Sequence, residues 1–502
     1  MYKRQSFYNQ KGELLTEEYW RTRDRINRYC VPLRITGREM KPIQGTGDFE
    51  LTARFEAFDD EKIFGMGQYQ EKHLNKKGAV LELAHRNSQA SVPFMVSSRG
   101  YGFLWNNPAI GTAAFGTNKT EWHAKSTKKL DYFITAGDTP AEIEKQYSDA
   151  TGRTPMMPEY GLGYWQCKLR YRTQDEVLAI AREHKRRGLP MDAIVIDFFH
   201  WTMQGDFKFE PRDWPDPDAY GPYDFDNYRY YAGPALQCSN IYPVGYAKGF
   251  YEGLKAEGEK DILSLVRCAW AGSQKYAVLT WSGDIYSSFR SMREQLQAGL
   301  NMGMAGIPWW TSDIGGFLGG DISDPSFREP LVRWFEWGAF CPVFRMHGER
   351  SPWHEREQEF INGVRQLTSG QDNEVWSFGE ENYRILSKYL MIRERLRPYI
   401  RECMRAASEP GAPGMRPLFF DFPEDPVCWE TEDCYMFGPD LLVAPVMEEG
   451  ARTRSIYLPA GTVWKDAYTG KSYEGGRTVE VDAPLDIIPV MMREGCSWEI
   501  YG

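Results

Sequence analysis

Hydrophobic and polar positions alternate along the first part of the chain. Residues 49–55 read Phe-Glu-Leu-Thr-Ala-Arg-Phe, and this two-residue period is typical of a half-buried strand. Similar short runs, separated by Gly, Asn and Asp, lead to a short helix over 140–150. The same texture returns near the C-terminus, for example at 441–446. We predict an N-terminal β-sandwich over residues 1–155 and a C-terminal β-sandwich over residues 411–502.

The middle of the chain changes to units of helix followed by strand. Thr173-Gln174-Asp175-Glu176 is a capping box that opens a helix, which runs to Arg187. An apolar strand over 193–196 follows at once. Repeated units of this kind are typical of a parallel sheet, so we predict a (β/α)8 TIM-type barrel over residues 156–410. The fold class is therefore α/β, a barrel flanked by two β-sandwiches, and the other predicted barrel helices span 244–257, 286–300 and 383–406.

The number of strands in this middle region is smaller than a closed barrel requires. A barrel of this type has eight strands. Between the second and third candidates there is one helix and a long loop rich in Tyr, Pro and Asp, but no strand. We therefore expect a barrel that lacks about two βα units near residues 215–225. The six candidate strands lie near 161–166, 191–197, 262–267, 277–283, 304–310 and 341–346.

Composition narrows the class of protein. The chain has 502 residues and a net charge of −10, which argues against nucleic acid or an anionic membrane as its partner. It has no apolar run long enough to span a bilayer and no visible secretory signal. Its nine cysteines include no C-x-x-C pair, which is typical of a reduced compartment. We expect a soluble, cytoplasmic protein, and a homo-oligomer is compatible with this composition.

Polar side chains follow the predicted strands at the end where barrel enzymes carry their catalytic groups. A single strand-end Asp more often caps a helix or joins an ion pair, but several at one barrel face favour catalysis. Carboxylates beside tryptophan suit glycoside hydrolysis, because one acid protonates the leaving oxygen while another group attacks the anomeric carbon. The strand-end residues are Asp197, Arg267, Trp281, Asp284, Asp313 and His347.

Motifs for other chemistries are missing from the sequence. There is no phosphate-binding G-x-x-x-x-G-K-[ST], no zinc-binding H-E-x-x-H and no G-x-S-x-G elbow. His347 and His354 lie seven residues apart with Pro352 between them, which disfavours a metal site. We therefore predict no metal and no cofactor.

Four motifs, in order along the chain, resemble glycoside hydrolase family 31, the retaining α-glucosidases and α-xylosidases. The resemblance implies a β-sandwich on each side of the barrel and an oligosaccharide substrate with a terminal α-linked xylosyl or glucosyl residue. It also implies that Asp284 is the general acid/base, and that Asp197, Arg267, Trp281, Asp313 and His347 hold the sugar in the −1 subsite. The motifs are Arg267–Gln274 (RCAWAGSQ), Trp281–Asp284 (WSGD), Ile307–Phe317 (IPWWTSDIGGF) and Phe344–Gly348 (FRMHG).

One departure from the family's pattern bears on the substrate. Its α-glucosidases often carry Asp-x-Asp-Tyr where this chain has Asp197-Phe198-Phe199-His200. Phe199 in place of the second Asp is similar to the α-xylosidase branch, and a bulky apolar group there would crowd the C6 hydroxymethyl of glucose. One methylene-sized difference is worth only about 1–3 kcal/mol of discrimination. We expect a preference for xylosides.

A second departure bears on catalysis. The family's nucleophile is an Asp in a Lys-Thr-Asp-Phe-Gly-Glu-like or Trp-x-Asp-x-x-(Glu/Asn)-Pro-Glu-like motif at the end of the fourth barrel strand, and neither pattern is found here. Segments 214–219 and 220–228, which the family separates, adjoin as if a block on the order of a hundred residues were missing. Asp224 or Asp226 could replace the nucleophile only by moving in from this junction. Three readings stay open: an impaired α-glycosidase, an inactive carbohydrate-binding protein, and an α-glucosidase from an incomplete gene model.

Overall fold

The computed structural model describes residues 4–20, 35–197, 228–352, 360–361, 364–365 and 370–501. The N-terminal domain is a sandwich of a five-stranded sheet, in the order β3-β4-β10-β9-β6, and a four-stranded sheet, in the order β11-β8-β7-β5. Its elements are β1 (Ser6–Tyr8), β2 (Leu14–Glu17), β3 (Arg38–Pro42), β4 (Phe49–Phe55), β5 (Ile63–Gln68), β6 (Val80–Leu83), β7 (Ala90–Ser97), β8 (Tyr101–Leu104), β9 (Gly111–Phe115), β10 (Thr120–Thr127), β11 (Phe133–Ala136) and α1 (Pro140–Thr151).

The predicted strand over 49–55 is confirmed as β4. Leu51, Ala53 and Phe55 on one of its faces are buried, as the two-residue period requires. Trp122 on the neighbouring strand β10 is fully buried and stacks on Phe103 at 5.0 Å between ring centroids. Aromatic side chains between the two sheets therefore form the core of this domain.

The middle domain is built of parallel strands and helices. Its strands are β12 (Tyr164–Cys167), β13 (Ala193–Val195), β14 (Arg229–Tyr230), β15 (Gly233–Pro234), β16 (Ser264–Val266), β17 (Val278–Trp281), β18 (Trp310–Thr311), β19 (Gly320–Asp321), β20 (Phe344–Met346), β21 (Arg350–Ser351), β22 (Phe360–Ile361) and β23 (Val364–Arg365). Its helices are α2 (Gln174–Arg187), α3 (Ala235–Cys238), α4 (Tyr242–Ala256), α5 (Phe289–Met304), α6 (Pro325–Gly338), α7 (Glu380–Arg395) and α8 (Arg397–Ser408).

Six of these strands form the barrel wall. Two parallel sheets, in the orders β13-β12-β20 and β16-β17-β18, are joined where the Val343 amide donates to the Trp310 carbonyl at 3.3 Å. The wall is thus an arc in the order β13-β12-β20-β18-β17-β16. Within the described residues, β13 and β16 have no second strand neighbour. Residues 198–227, which lie between these two strands in sequence, fall outside the described part of the chain.

Burial distinguishes the ends of the arc from its middle. Every residue of β12, β18 and β20 is buried, as expected of parallel strands covered on both faces. All three residues of β13 and all three of β16 are only half-buried. Ile196, just after β13, is 39% exposed. The two terminal strands of the arc are therefore less completely covered than the strands between them.

Helix boundaries follow local signals, with two corrections. The Thr173 side chain caps α2 by accepting from the Glu176 amide, and Gly188 ends the helix in the left-handed conformation, as predicted. The predicted single helix over 383–406 is wrong, because it is divided at Leu396 into α7 and α8. Pro398 lacks an amide hydrogen and clashes with the carbonyl four residues earlier, so it begins a new helix. The predicted strand at 304–310 also begins too early, since α5 runs to Met304.

The C-terminal domain is a second β-structure. It contains a six-stranded sheet, in the order β24-β25-β26-β31-β28-β29, and a two-stranded sheet of β27 and β30. The predicted arrangement of an α/β barrel flanked by two β-domains is thereby confirmed. Its elements are β24 (Met415–Arg416), α9 (Leu418–Asp421), β25 (Tyr435–Phe437), β26 (Leu441–Val443), β27 (Thr453–Leu458), β28 (Val463–Asp466), β29 (Ser472–Glu474), β30 (Arg477–Asp482) and β31 (Val490–Arg493).

Candidate active site

The barrel strands bring the six predicted site residues to one mouth. Each lies at, or within three residues after, the carboxyl end of its strand, and parallel strands of a barrel end on the same face. Contacts between their side chains show that they are neighbours in space. The residues and their strands are Asp197 after β13, Arg267 after β16, Trp281 and Asp284 on and after β17, Asp313 after β18, and His347 after β20.

A buried ion pair forms the floor of the site. The Arg345 guanidinium donates to the Asp313 carboxylate, and both side chains are almost completely inaccessible. Burial raises the pKa of Asp313 to about 7, with further upward contributions from Asp284 and Asp197, although Arg345 opposes the shift. Among the described residues, Asp313 Oδ2 and Arg345 Nε are buried without hydrogen-bond partners. Both side chains therefore keep hydrogen-bonding capacity that no group in the described part of the chain satisfies.

His347 and Trp281 form the side of the site next to this pair. His347 Nε2 lies 3.6 Å from Asp197 Oδ2, and its buried Nδ1 has no partner in the described part of the chain. Burial, reinforced by Arg345, Arg350 and Arg267, holds the pKa of His347 well below its usual value, so the ring is neutral. The Trp281 ring lies 5.4 Å from the Arg267 guanidinium carbon and 5.9 Å from that of Arg345. Two cations thus lie within cation–π distance of this aromatic ring.

Asp284 lies beside Arg267 and is more accessible than Asp313 and His347. Its side chain is 21% exposed, and its Oδ2 lies 3.6 Å from Arg267 Nη2. The same oxygen accepts a hydrogen bond of 2.6 Å from Asn87 Nδ2. Asn87 belongs to the N-terminal sandwich, so two domains supply groups to the site.

Glu349 is a carboxyl group that the sequence interpretation missed. It lies two residues beyond His347 and is 7% exposed. Its pKa is raised to about 7 by burial and by the negative charge of Asp284. Its position just after β20 was a usable signal, since His347 was predicted from the end of the same strand. Asn87 carried no comparable signal, because it follows no barrel strand.

The other predictions about the site fall outside the described residues. They concern Phe198 and Phe199, which bear on substrate choice, and the junction over 214–227 with Asp224 and Asp226. No helix in the described ranges is both long and apolar enough to cross a membrane. Likewise, no three His, Cys, Asp or Glu side chains within those ranges are grouped so that they could bind a metal ion.

These groups together can bind and protonate a polyhydroxylated ligand. Buried donors and acceptors without partners suit hydroxyl groups, and the tryptophan face suits the apolar side of a sugar ring. A more accessible carboxyl group at the mouth suits protonation of a glycosidic oxygen. Fold and site together define a glycoside hydrolase.

Comparison with known families specifies the class. The profile described as "Glycosyl hydrolases family 31 TIM-barrel domain" matches residues 154–223 and 221–402. The N-terminal galactose mutarotase-like domain of glycosyl hydrolase 31 matches residues 2–112, and the C-terminal domain of the family matches residues 411–496. The chain belongs to glycoside hydrolase family 31.

Similar proteins carry α-xylosidase and glucosidase names. An uncharacterized family 31 glucosidase, ORF2, of Pseudescherichia vulneris is 48% identical over 447 residues, covering 69% of this chain and 84% of that protein. An alpha-xylosidase of Saccharolobus solfataricus is 29% identical over 558 residues, covering 93% of this chain and 74% of that protein. The crystal structure of a family 31 α-xylosidase from a soil metagenome, complexed with xylose, has a TM-score of 0.94 and 50% identity, and the match covers 99% of this chain and 88% of that one.

Proposed function

We propose that this chain is a family 31 α-glycosidase scaffold that binds terminal α-linked xylosyl residues, in preference to glucosyl residues, at the non-reducing ends of oligosaccharides. Asp284 is its general acid/base. The sugar in the −1 subsite is held by Asp197, Arg267, Trp281, Asp313 and His347. The nucleophile is missing, so hydrolysis is impaired.

The proposal that the chain binds sugar rests on a set of buried polar atoms that have no hydrogen-bond partner among the described residues. Asp313 Oδ2, Arg345 Nε and His347 Nδ1 belong to two pairs of side chains at the barrel mouth, Arg345 with Asp313 and His347 with Asp197. A buried polar atom without a partner costs about 1–3 kcal/mol, and sugar hydroxyl groups that bind there would remove that cost. Three such atoms beside a tryptophan ring are consistent with a hexose or pentose subsite.

The proposal that the nucleophile is missing is supported by the barrel strands within the described residues. Hydrolysis with retention needs a second carboxyl group about 5–5.5 Å from the first. The described strands form an arc whose half-covered ends are β13 and β16, and the family's barrel profile matches in two blocks that meet at residues 221–223. The alignment with the Pseudescherichia vulneris relative is 447 residues long but covers 69% of this chain, about 346 residues, so about 100 aligned positions have no counterpart here.

The preference for xylosides is supported by the relatives. Two of the similar proteins named above are α-xylosidases, and one of them was crystallised with xylose. Phe199 stands where a glucose-specific site often carries an acid, and its apolar ring would crowd a hydroxymethyl group. The ratio of xyloside to glucoside affinity therefore tests this part separately.

The experiment combines turnover with binding. Release of 4-nitrophenol from the aryl α-xyloside and α-glucoside is measured for the wild type, with Asp284→Ala as the reference for zero acid catalysis. Xylose and glucose affinities are measured by calorimetry on the same samples. We expect saturable xylose binding, with turnover that is far below that of an ordinary glycosidase but above that of Asp284→Ala. Turnover at the rate of an ordinary glycosidase would contradict the proposal, and its loss in Glu349→Gln would identify Glu349 as a substitute nucleophile.

A carbohydrate-binding protein without any turnover is the second candidate. It is favoured by the absence of a nucleophile motif from the sequence, whereas the presence of Asp284 favours the first, since a protein that only binds sugar has no use for a general acid. Detectable turnover that depends on Asp284 would exclude the second candidate. Genomic sequence across the codons for residues 215–225 would show whether the natural gene contains a longer segment at this position.

A further inference from the structure

A hairpin of the N-terminal sandwich reaches the barrel mouth. Arg86 and Gln89 pair with each other through reciprocal main-chain hydrogen bonds of 3.1 Å, which closes a tight turn between β6 and β7. Ser88 adopts a φ of +63°, a left-handed conformation that is costly for a residue with a side chain. The turn places Asn87 and Ser88 at its tip. Strained residues of this kind persist only where their surroundings hold them.

The tip of this hairpin binds Asp284 twice. Asn87 Nδ2 donates to Asp284 Oδ2 at 2.6 Å, and the Asp284 amide donates to Asn87 Oδ1 at 3.1 Å. The carboxamide thus connects the side chain of Asp284 to its own main chain and restricts the rotation of the carboxylate. We infer that Asn87 is a positioning residue that orients Asp284 for proton transfer, an inference that rests on the proposed role of Asp284.

The geometry at Asp284 explains what this orientation achieves. Oδ2 is the oxygen that contacts both Asn87 and, at 3.6 Å, Arg267. Within the described residues, no hydrogen bond reaches Oδ1. The hairpin therefore holds one carboxylate oxygen against the protein and leaves the other for the glycosidic oxygen of the substrate. A general acid needs this arrangement, because proton transfer depends on a hydrogen-bonding distance to the leaving oxygen.

The main chain next to Asp284 and the main chain of the hairpin both support the contact between Asn87 and Asp284. Gly283, next to Asp284, has a φ of +70°, and a Cβ atom there would lie 2.5 Å from the Ser88 nitrogen and 2.7 Å from its Cα. Only glycine allows the hairpin to approach this closely. Behind the tip, the Ser88 carbonyl accepts from Gln70 Nε2 at 2.7 Å, and Gln70 Oε1 accepts from Gln295 Nε2 on α5 at 2.6 Å. The barrel thus anchors the hairpin that orients its own carboxylate.

The test uses a sugar-directed alkylating agent, so that it does not depend on the catalytic nucleophile that attacks the anomeric carbon. N-bromoacetyl xylosylamine places a bromomethyl carbon on the leaving-group side of the sugar. A carboxylate oxygen of Asp284 displaces bromide from that carbon, forming an ester and releasing the bromide ion. Peptide mapping locates the ester, and the dependence of the rate on reagent concentration separates the binding constant KI from the maximal rate kinact.

Three variants distinguish orientation from mere support of the fold. In Asn87→Ala we expect kinact to fall about tenfold while KI stays within about twofold, because the sugar-binding residues are untouched. Asn87→Gln keeps a carboxamide and should recover part of the lost rate. The control is Arg86→Gln in the same turn, whose side chain pairs with Glu82, and it should react like the wild type. A purely structural role would lower the melting temperature or raise KI without this selective loss of kinact.

Two results would overturn the inference. One is a kinact of Asn87→Ala within twofold of the wild-type value while the label still maps to Asp284. The other is additivity in a double-variant cycle of Asn87→Ala and Asp284→Ala, in which the unfolding free energies are measured in urea. Additive effects refute the contact, and non-additive effects uphold it. This cycle decides the inference even if the wild type shows no saturable labelling, a result that would contradict sugar binding itself.

Discussion

Replacing Asp313 by Asn should change how the stability of the barrel depends on pH. Burial raises the pKa of Asp313 from 3.8 to about 7 despite its contact with Arg345. A carboxyl group whose pKa is higher in the folded state stabilises the fold at low pH, and this contribution is lost as the pH rises through the folded-state value. The difference between 3.8 and about 7 corresponds to about 4 kcal/mol.

The experiment compares urea unfolding of the wild type and Asp313→Asn between pH 4 and pH 8, followed by tryptophan fluorescence. Relative to the variant, the wild type should lose about 4 kcal/mol of unfolding free energy over this range, while any constant cost of leaving Arg345 without its partner cancels in the comparison. Asp138→Asn is the control, since that side chain is 69% exposed. A difference that does not vary with pH would refute the reasoning, because Arg345 would then keep Asp313 charged throughout.

Three further predictions concern the buried Glu144, the buried Arg333 and the nucleophile that we propose is missing. Glu144 is fully buried on α1, and both its carboxyl oxygens lack partners among the described residues, so burial raises its pKa. The stability of Glu144→Gln, measured by calorimetry, should therefore rise relative to that of the wild type as the pH rises from 4 to 8. Arg333 donates to the carbonyls of Ala451, Ala483, Pro484 and Ile487 across the barrel–C-terminal interface, so Arg333→Met should lower the unfolding free energy by about 3–5 kcal/mol, measured by urea unfolding. Azide should react with α-xylosyl fluoride on this protein, since a bond can form between nitrogen and C1 as fluoride leaves. The NMR spectrum should show the inverted product, β-xylosyl azide. An α-xylosyl azide would contradict a missing nucleophile.

The parts of the fold that depend on local sequence were predictable. Thr173 and Gly188 set the two ends of α2 by capping, which involves only neighbouring residues. The strand ends that carry Asp284 and Asp313 were found from runs of apolar residues. The division of the helix at Leu396 was also predictable, because Pro398 disfavours helix continuation, but amphipathic spacing across the break concealed it.

The parts of the site that depend on contacts between domains were not predictable. Asn87 lies 197 residues before Asp284 in sequence, and nothing in its surroundings identifies a partner in the barrel. Glu349 is a different case, because its position beside His347 was visible but its burial was not. The raised pKa of Glu349 depends on the packing around it and on the charge of Asp284, and neither could be read from the spacing of residues.

Our proposal that the catalytic nucleophile is missing is tested most directly by trapping. The protein is incubated with a 5-fluoroxylosyl fluoride of α configuration, which forms a stable ester with the nucleophile of a retaining enzyme, and its intact mass is measured. We predict an unchanged mass. A protein heavier by one fluoroxylosyl group, with the ester mapped to Asp224, Asp226 or Glu349, would show that another carboxylate performs the attack and would contradict the account.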